Sequence, residues 1–196
     1  MSGRKAHVPH VVAQMLACAA QAEALKLGKP MAIAVVDAEG GAQLFTRMDG
    51  TLPVSSELAV SKAYTAAILR MTSAELGKLA QPGAPLYGIE STHNGRIVLF
   101  GGGLPLYLNG EVVGAIGVSG GSVEEDVSVA TPAVELLREM ECGAEPFRQL
   151  LGGLTVGTLA LEQVKNELWK VLEQASPNYS PSKIAALVGA VCLALS

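Results

Sequence analysis

Charge is scarce in this chain. Only 16% of its 196 residues are charged, and 14 basic residues face 18 acidic ones, a net charge of −4. With a pI near 5.4 there is no basic face to neutralise phosphates, and we expect no nucleic-acid partner. Aromatic residues make up 4% of the chain, with a single Trp. Three cysteines, Cys18, Cys142 and Cys192, are odd in number and far apart. They form neither a disulfide framework nor a zinc pattern, and read as small buried hydrophobes in a reducing compartment. Long apolar runs are missing too. The longest uncharged one, residues 184–195, falls short of the roughly 20 residues a bilayer requires. Arg4 and Lys5 are followed by no clean apolar stretch, so no signal peptide and no membrane association are expected. The expected location is cytoplasmic.

What is abundant is apolar and small: hydrophobic residues reach 49%, and there are 22 glycines. A chain of this length buries a core unaided. Its low charge leaves apolar surface to hide, which points to a homo-oligomer.

Apolar residues Val11, Met15, Cys18, Ala22 and Leu25 recur at helical spacing over residues 11–27, and Gly28 and Pro30 stop that helix. Two short apolar runs, 31–36 and 44–48, flank Gly40 and Gly41 and pair as a hairpin. Residues 55–70 carry a small-residue helical face of Ala59, Ala63, Ala66 and Ala67. A short helix at 73–79, capped by Thr72 or Ser73, follows. Residues 96–100 read as a strand, interrupted by Gly101, Gly102 and Gly103 and resumed at 104–108. Asn109-Gly110 is a strong hairpin signal, with the return strand at 111–118. Pro105 places its strand at an edge or a bulge. Ser122 and Glu125 make a capping box for a helix striped by Val123, Val127, Ala130, Val134 and Leu137. Two hairpins and grouped helices predict an α+β fold, a mainly antiparallel sheet with helices on its faces. This domain occupies residues 1–142. An extension, 143–196, carries a linker at 176–181 and a last apolar helix at 182–195, which either completes the core or docks into a partner groove.

Counting back from the Asn109-Gly110 turn pairs Leu108 with Glu111 and Gly101–Gly103 with Ile116–Val118. Gly101, Gly102 and Gly103 then meet Ser119, Gly120 and Gly121 beside a helix start, where bare amides favour a carboxylate or phosphate. The same glycines also serve close packing. No dinucleotide fingerprint is present, so no nucleotide cofactor is expected. His7 and His10, three apart, would share a face if the first helix started early, and could ligate a metal or haem iron. His93 sits in a polar turn. Asp37, Lys62 and Tyr64 are the acid–base candidates. Lys62 reads as an anion partner or a surface lysine, and Tyr64 as a ligand donor or a core tyrosine.

Val35-Val36-Asp37 with Gly40-Gly41, Phe45-x-Arg47-Met48-Asp49-Gly50, Lys62-Ala63-Tyr64-Thr65-Ala66, Gly101-Gly102-Gly103-x-Pro105-Leu106 and the run from Gly110 to Gly121 resemble, in order, the GlcG/HbpS-like family, whose domain also ends PduO-type proteins. The resemblance covers roughly residues 8–140. It implies a profilin-like α/β/α layout, dimer-based assemblies and haem as ligand. A histidine near the domain start can serve as iron ligand in haem-binding members, which singles out His7 and His10, with His93 as a departure from the usual small or polar residue. Arg47 and Lys62 would hold the propionates, with the backbones of Gly101–Gly103 and Ser119–Gly121 lining the site. PduO-type proteins are linked to bacterial microcompartments, and residues 182–195 look similar to the terminal helices that hold cargo to a shell or partner. An enzyme acting on a small carboxylated metabolite and a ligand-free scaffold subunit are the competing readings.

Overall fold

The structure is a computed structural model, and it describes residues 7–142. The element order is α1 (His10–Lys26), β1 (Ala32–Asp37), β2 (Ala42–Arg47), α2 (Pro53–Leu69), α3 (Ser73–Leu79), two short 3₁₀ turns at 89–91 and 93–95, β3 (Gly103–Leu108), β4 (Glu111–Ser119) and α4 (Val123–Cys142). The four strands form one antiparallel sheet in the order β2-β1-β4-β3. The expected linker and last helix at 176–181 and 182–195 lie outside the described residues.

The sheet is the middle of three layers, and β1 shows why. Its alternating side chains are buried on both faces. Ile33 and Val35 join the core under α1 and α4, while Ala32, Ala34 and Val36 meet Ala59, Ala63, Ala66 and Ala67 of α2. The alanine face of α2 lets it settle directly on the sheet: a Cβ on Gly117 would overlap the Ala59 carbonyl and the Ala63 amide, and one on Gly103 would overlap the Lys62 carbonyl. Small residues on both surfaces set this close spacing, and dispersion contacts accumulate along it.

Several expectations shift in detail. In α1 the buried face is Val12, Ala13, Met15, Leu16, Ala17, Ala20 and Ala24, and Leu25 is exposed, because the helix packs against the sheet below it and against α4 beside it and is covered across a broad arc. In α4 the buried stripe runs through Val129, Ala130, Ala133, Leu136, Leu137 and Met140, with Val123 exposed. Residues 96–100 are not a strand. Ile97 and Val98 are buried, yet the Val98 amide bonds to the Thr65 hydroxyl at 3.0 Å, so this segment lies on the outer side of α2. Pro105 does sit on an edge strand. The β3–β4 register slips between Leu106 and Tyr107, so Gly103 pairs with Gly117 rather than Ile116. A bulge adds the extra residue.

The capping box of α3 closes with Thr72: its hydroxyl accepts the Glu75 amide at 3.1 Å, and the Glu75 carboxylate accepts the Thr72 amide at 2.9 Å. The same box forms between Ser122 and Glu125 at α4. After α3 the chain makes a long excursion and returns beside its start. Gly77 lies so close to the Leu99 carbonyl that a Cβ there would overlap it, and Gln81 Nε2 donates to the Gly77 carbonyl at 2.7 Å.

Candidate functional site

The two glycine clusters do meet. Val118 donates its amide to the Gly102 carbonyl at 2.9 Å, and Gly101, Gly102 and Gly103 are all buried. Protein fills the space before them. A Cβ on Gly102 (φ 114°) would stand 2.8 Å from Lys62 Nζ and 2.6 Å from the Val118 carbonyl, and one on Gly101 would meet Val127 and Val123. The glycines therefore serve close packing, and protein fills the space before Gly101–Gly103 where bare backbone was expected to receive a carboxylate, a phosphate or haem.

Lys62 explains why that space is filled. Its side chain is fully buried and reaches from α2 to Asp126 on α4. Nζ donates to Asp126 Oδ2 at 2.6 Å and to the Val118 carbonyl at 3.1 Å, and lies 4.9 Å from the centre of the Phe100 ring. Burial pushes the ammonium below the ordinary lysine range, and the Asp126 carboxylate offsets part of that shift. Asp126 Oδ1 accepts the Gly121 amide at 3.0 Å. The α4 start is thus occupied by the chain's own carboxylates: Asp126 takes Gly121, and Glu125 takes the Ser122 amide at 2.8 Å and Lys29 at 2.7 Å. An external anion finds these donors used. Lys62 is neither a surface lysine nor presented to a propionate.

Arg47 is exposed at the end of β2, opposite Ala32. Ala32 also pairs with Ser119, so Arg47 and the glycine junction share one end of the sheet. His7 is at the other end, where Val8 donates its amide to the Val113 carbonyl at 3.1 Å, next to the Asp37–Gly114 pair. The length of β1, about 16 Å at the usual strand rise, separates them. Helix α1 begins at His10 with Pro9 as its cap, so His7 precedes the helix and the two histidines do not share a helical face. Both are exposed. Among the described residues, His7 and His10 are not brought together with Arg47, Lys62 and the glycines.

Asp37 is a turn former. Its Oδ1 accepts the Glu39 and Gly41 amides at 2.9 and 2.8 Å, which pins the β1–β2 turn. The turn it shapes brings Gly40 against the ring of Tyr64. Tyr64 is half-buried, and its hydroxyl is 3.0 Å from His93 Nδ1, with the two rings edge to face. The Arg96 guanidinium stacks 3.8 Å from the centre of the Tyr64 ring. His93 is exposed and has left-handed backbone (φ 51°), as do Asn94 and Gly95 after it (φ 58° and 75°). A run of such residues is costly for side chains other than glycine and marks a place whose geometry is imposed by its surroundings. The Tyr64 contact occupies Nδ1, one of the two ring nitrogens of this exposed residue.

A second feature had no signal in the sequence. A cleft of about 640 Å³ opens between the end of α2, α3 and β3, lined among others by Arg70, Met71, Lys78, Leu79, Pro105 and Tyr107. It depends on α3 folding back beside the β3 edge, which no local pattern announces. Among the described residues no group of three or more His, Cys, Asp or Glu could hold a metal ion, and no helix is long and apolar enough to cross a membrane. The Cys18 thiol is half-buried, and burial raises its pKa.

The model of the family described as haem degrading protein HbpS-like matches residues 8–135. An uncharacterized 15.0 kDa protein from the dhaT-dhaS intergenic region of Citrobacter freundii is 45% identical over 128 residues, 65% of this chain and 90% of that protein. The corrinoid adenosyltransferase PduO of Salmonella typhimurium is 45% identical over 116 residues, 59% of this chain. The match spans only 34% of that enzyme's length. The solved PduOC:heme complex shares 42% identity, with a TM-score of 0.60 over 64% of this chain and 91% of that one. The chain belongs to the HbpS-like family.

Proposed function

We propose that this HbpS-like protein binds haem or a closely related tetrapyrrole through an exposed histidine. The observation that supports this reading is its likeness, at 42% identity, to a domain whose solved structure is a haem complex. Haem supplies a redox-active iron already held by four ring nitrogens. The protein has then to contribute an axial ligand, apolar surface and cations for the propionates. A bare ion would need a cluster of ligands, and the described residues hold none. One oriented imidazole suits a metal that brings its other ligands with it.

His93 fits that requirement. When Nδ1–H donates to the Tyr64 oxygen, the Nε2 lone pair is left for a metal, and the bond holds the ring and raises its basicity. Arg96 supplies a cation beside it. His7 and His10 remain proposed alternatives, both exposed and with no hydrogen bond that orients their rings among the described residues. A haem titration followed by absorbance tests the reading, with His7→Ala, His10→Ala and His93→Ala beside the parent. Saturable one-to-one binding that His93→Ala abolishes is the expected result. Weak, unsaturable uptake alike in all four proteins would overturn it.

Two further parts of the proposal concern partners. Low charge and exposed Phe45, Leu52 and Val54 support a homo-oligomer, which sedimentation would detect. Residues 182–195 are proposed as a handle for a microcompartment shell or cargo partner. Unchanged partner association after deleting residues 177–196 would remove that role.

A further inference from the structure

We infer that the cleft between α2, α3 and β3 binds a small apolar molecule carrying a carboxylate. Its volume, about 640 Å³, falls within the range of ligand clefts, roughly 300–1,000 Å³. Its apolar wall includes Met71, Leu79, Pro105 and Tyr107, and Leu79 and Tyr107 are 38% and 43% exposed. Arg70 and Lys78 stand among them, both exposed; neither makes a direct salt bridge within the described residues, although Lys78 is near enough to Glu75 to help lower its pKa. The acid of the same cleft, Glu75, is committed. Its carboxylate accepts the Thr72 amide and hydroxyl at 2.9 and 2.8 Å, and these bonds hold it below the usual glutamate range. The lining therefore carries one net positive charge. A carboxylate with an apolar body matches that balance, and a guanidinium can grip it with two parallel bonds. A phosphate dianion would overshoot the available charge and face Glu75.

The backbone of Arg70 is the second observation. Arg70 caps α2 in left-handed conformation (φ 56°), a position where glycine is the usual residue because a Cβ is disfavoured. Tyr107 donates its hydroxyl to the Arg70 carbonyl at 3.2 Å, which ties this strained cap to the cleft wall. The fold thus keeps an arginine where its backbone is unfavourable and its side chain borders the cleft. Tyr64 and His93 lie on the β1–β2 side of α2, and the cleft lies on the β3 side. The inference therefore does not need an iron ligand or the haem reading.

The same carboxylate chemistry occurs in free acids and in tetrapyrrole propionates. Calorimetric titration of the full chain with decanoate, decanol and metal-free protoporphyrin IX tells them apart. Saturable binding of decanoate or the porphyrin, with decanol at least tenfold weaker, is expected. Porphyrin binding alone assigns the cleft to propionates, and decanoate binding assigns it to free acids. Arg70→Gly should weaken binding about tenfold while raising Tm, so lost affinity cannot be blamed on lost folding. Lys78→Gln should weaken it less, and His93→Ala should leave it unchanged. Failure of both acids to bind, equal binding of decanol, or full affinity in Arg70→Gly would overturn the inference. Decanoate binding alongside a failed haem titration would leave the cleft standing and remove only the haem reading.

Discussion

Lys62 and Tyr64 stand two residues apart on α2 and face opposite fates. Lys62 turns into the protein, where Asp126, the Val118 carbonyl and Phe100 surround its ammonium. Tyr64 turns toward the β1–β2 turn and meets an exposed histidine. One side of the helix is closed, with its donors answered by acceptors of the same chain. The other side carries an exposed imidazole with one ring nitrogen engaged. A buried charge with complete partners locks a helix in place but offers nothing to a ligand, whereas an exposed imidazole with one partner is both oriented and available.

The largest expected effect falls on the closed side. Lys62→Met or Asp126→Leu alone should cost about 3–5 kcal/mol, because each leaves an unpaired buried charge. The double substitution should recover most of the loss in urea unfolding. A single-variant loss below about 1 kcal/mol would erase the contrast with Tyr64.

Next in size is the seat of the helix on the sheet. Gly117→Ala and Gly103→Ala press a methyl into the backbone of α2 and should cost about 1–3 kcal/mol each. Thermal unfolding measures this, and a neutral result would mean that α2 can lift off the sheet.

The capping box of α3 should contribute about 1 kcal/mol, read from Thr72→Ala. Its pH dependence has a definite sign. Hydrogen bonds from the Thr72 side chain and amide lower the Glu75 pKa, so the folded state binds this proton less readily than the unfolded chain. The associated stability is present above the ordinary glutamate range and is lost as pH falls through the lowered folded value. Thr72→Ala should flatten that part of the acid limb; an unchanged slope would assign the limb to other carboxylates.

The smallest stability effect belongs to the open side. His93→Gly should stabilise by up to about 1 kcal/mol, since glycine accepts left-handed backbone freely, while abolishing the proposed iron ligation. Destabilisation in chemical denaturation would instead make the Tyr64–His93 contact structural, like the Lys62 pair.

Much of the fold was legible because local rules and tertiary packing agree. The Asn109-Gly110 turn, the alanine face of α2, the Ser122–Glu125 capping box, a cap at Thr72 or Ser73 and the edge or bulge position of Pro105 follow from residue types at fixed spacing. The strand expected at 96–100 failed because an apolar run does not say whether it will pair or lie flat on a helix. The register missed by one because a bulge adds a residue without a distinctive local signature. At the site, Lys62 was noticed but its burial was hidden, since its partner Asp126 lies 64 positions away. The Tyr64–His93 contact bridges 29 positions, and nothing local to either residue marks it. The cleft depends on how α3 sits beside β3, which is a property of packing alone.

Gly77, closed against the Leu99 carbonyl, has a consequence for how such a protein can diversify. It holds the two stems of the excursion after α3 together, so the segment that carries His93 leaves and rejoins the body at one point. Closing a loop costs only about 0.6 kcal/mol more for each doubling of its length. Insertions and exchanges at its exposed positions, 81–92, are therefore inexpensive and leave the sheet untouched, while residues 93–98 keep their contacts with α2 through Tyr64 and Thr65. The imidazole stands at the end of the stretch of chain that descendants can rewrite most freely, so metal-ligating chemistry can be gained or surrendered there without redesigning the domain.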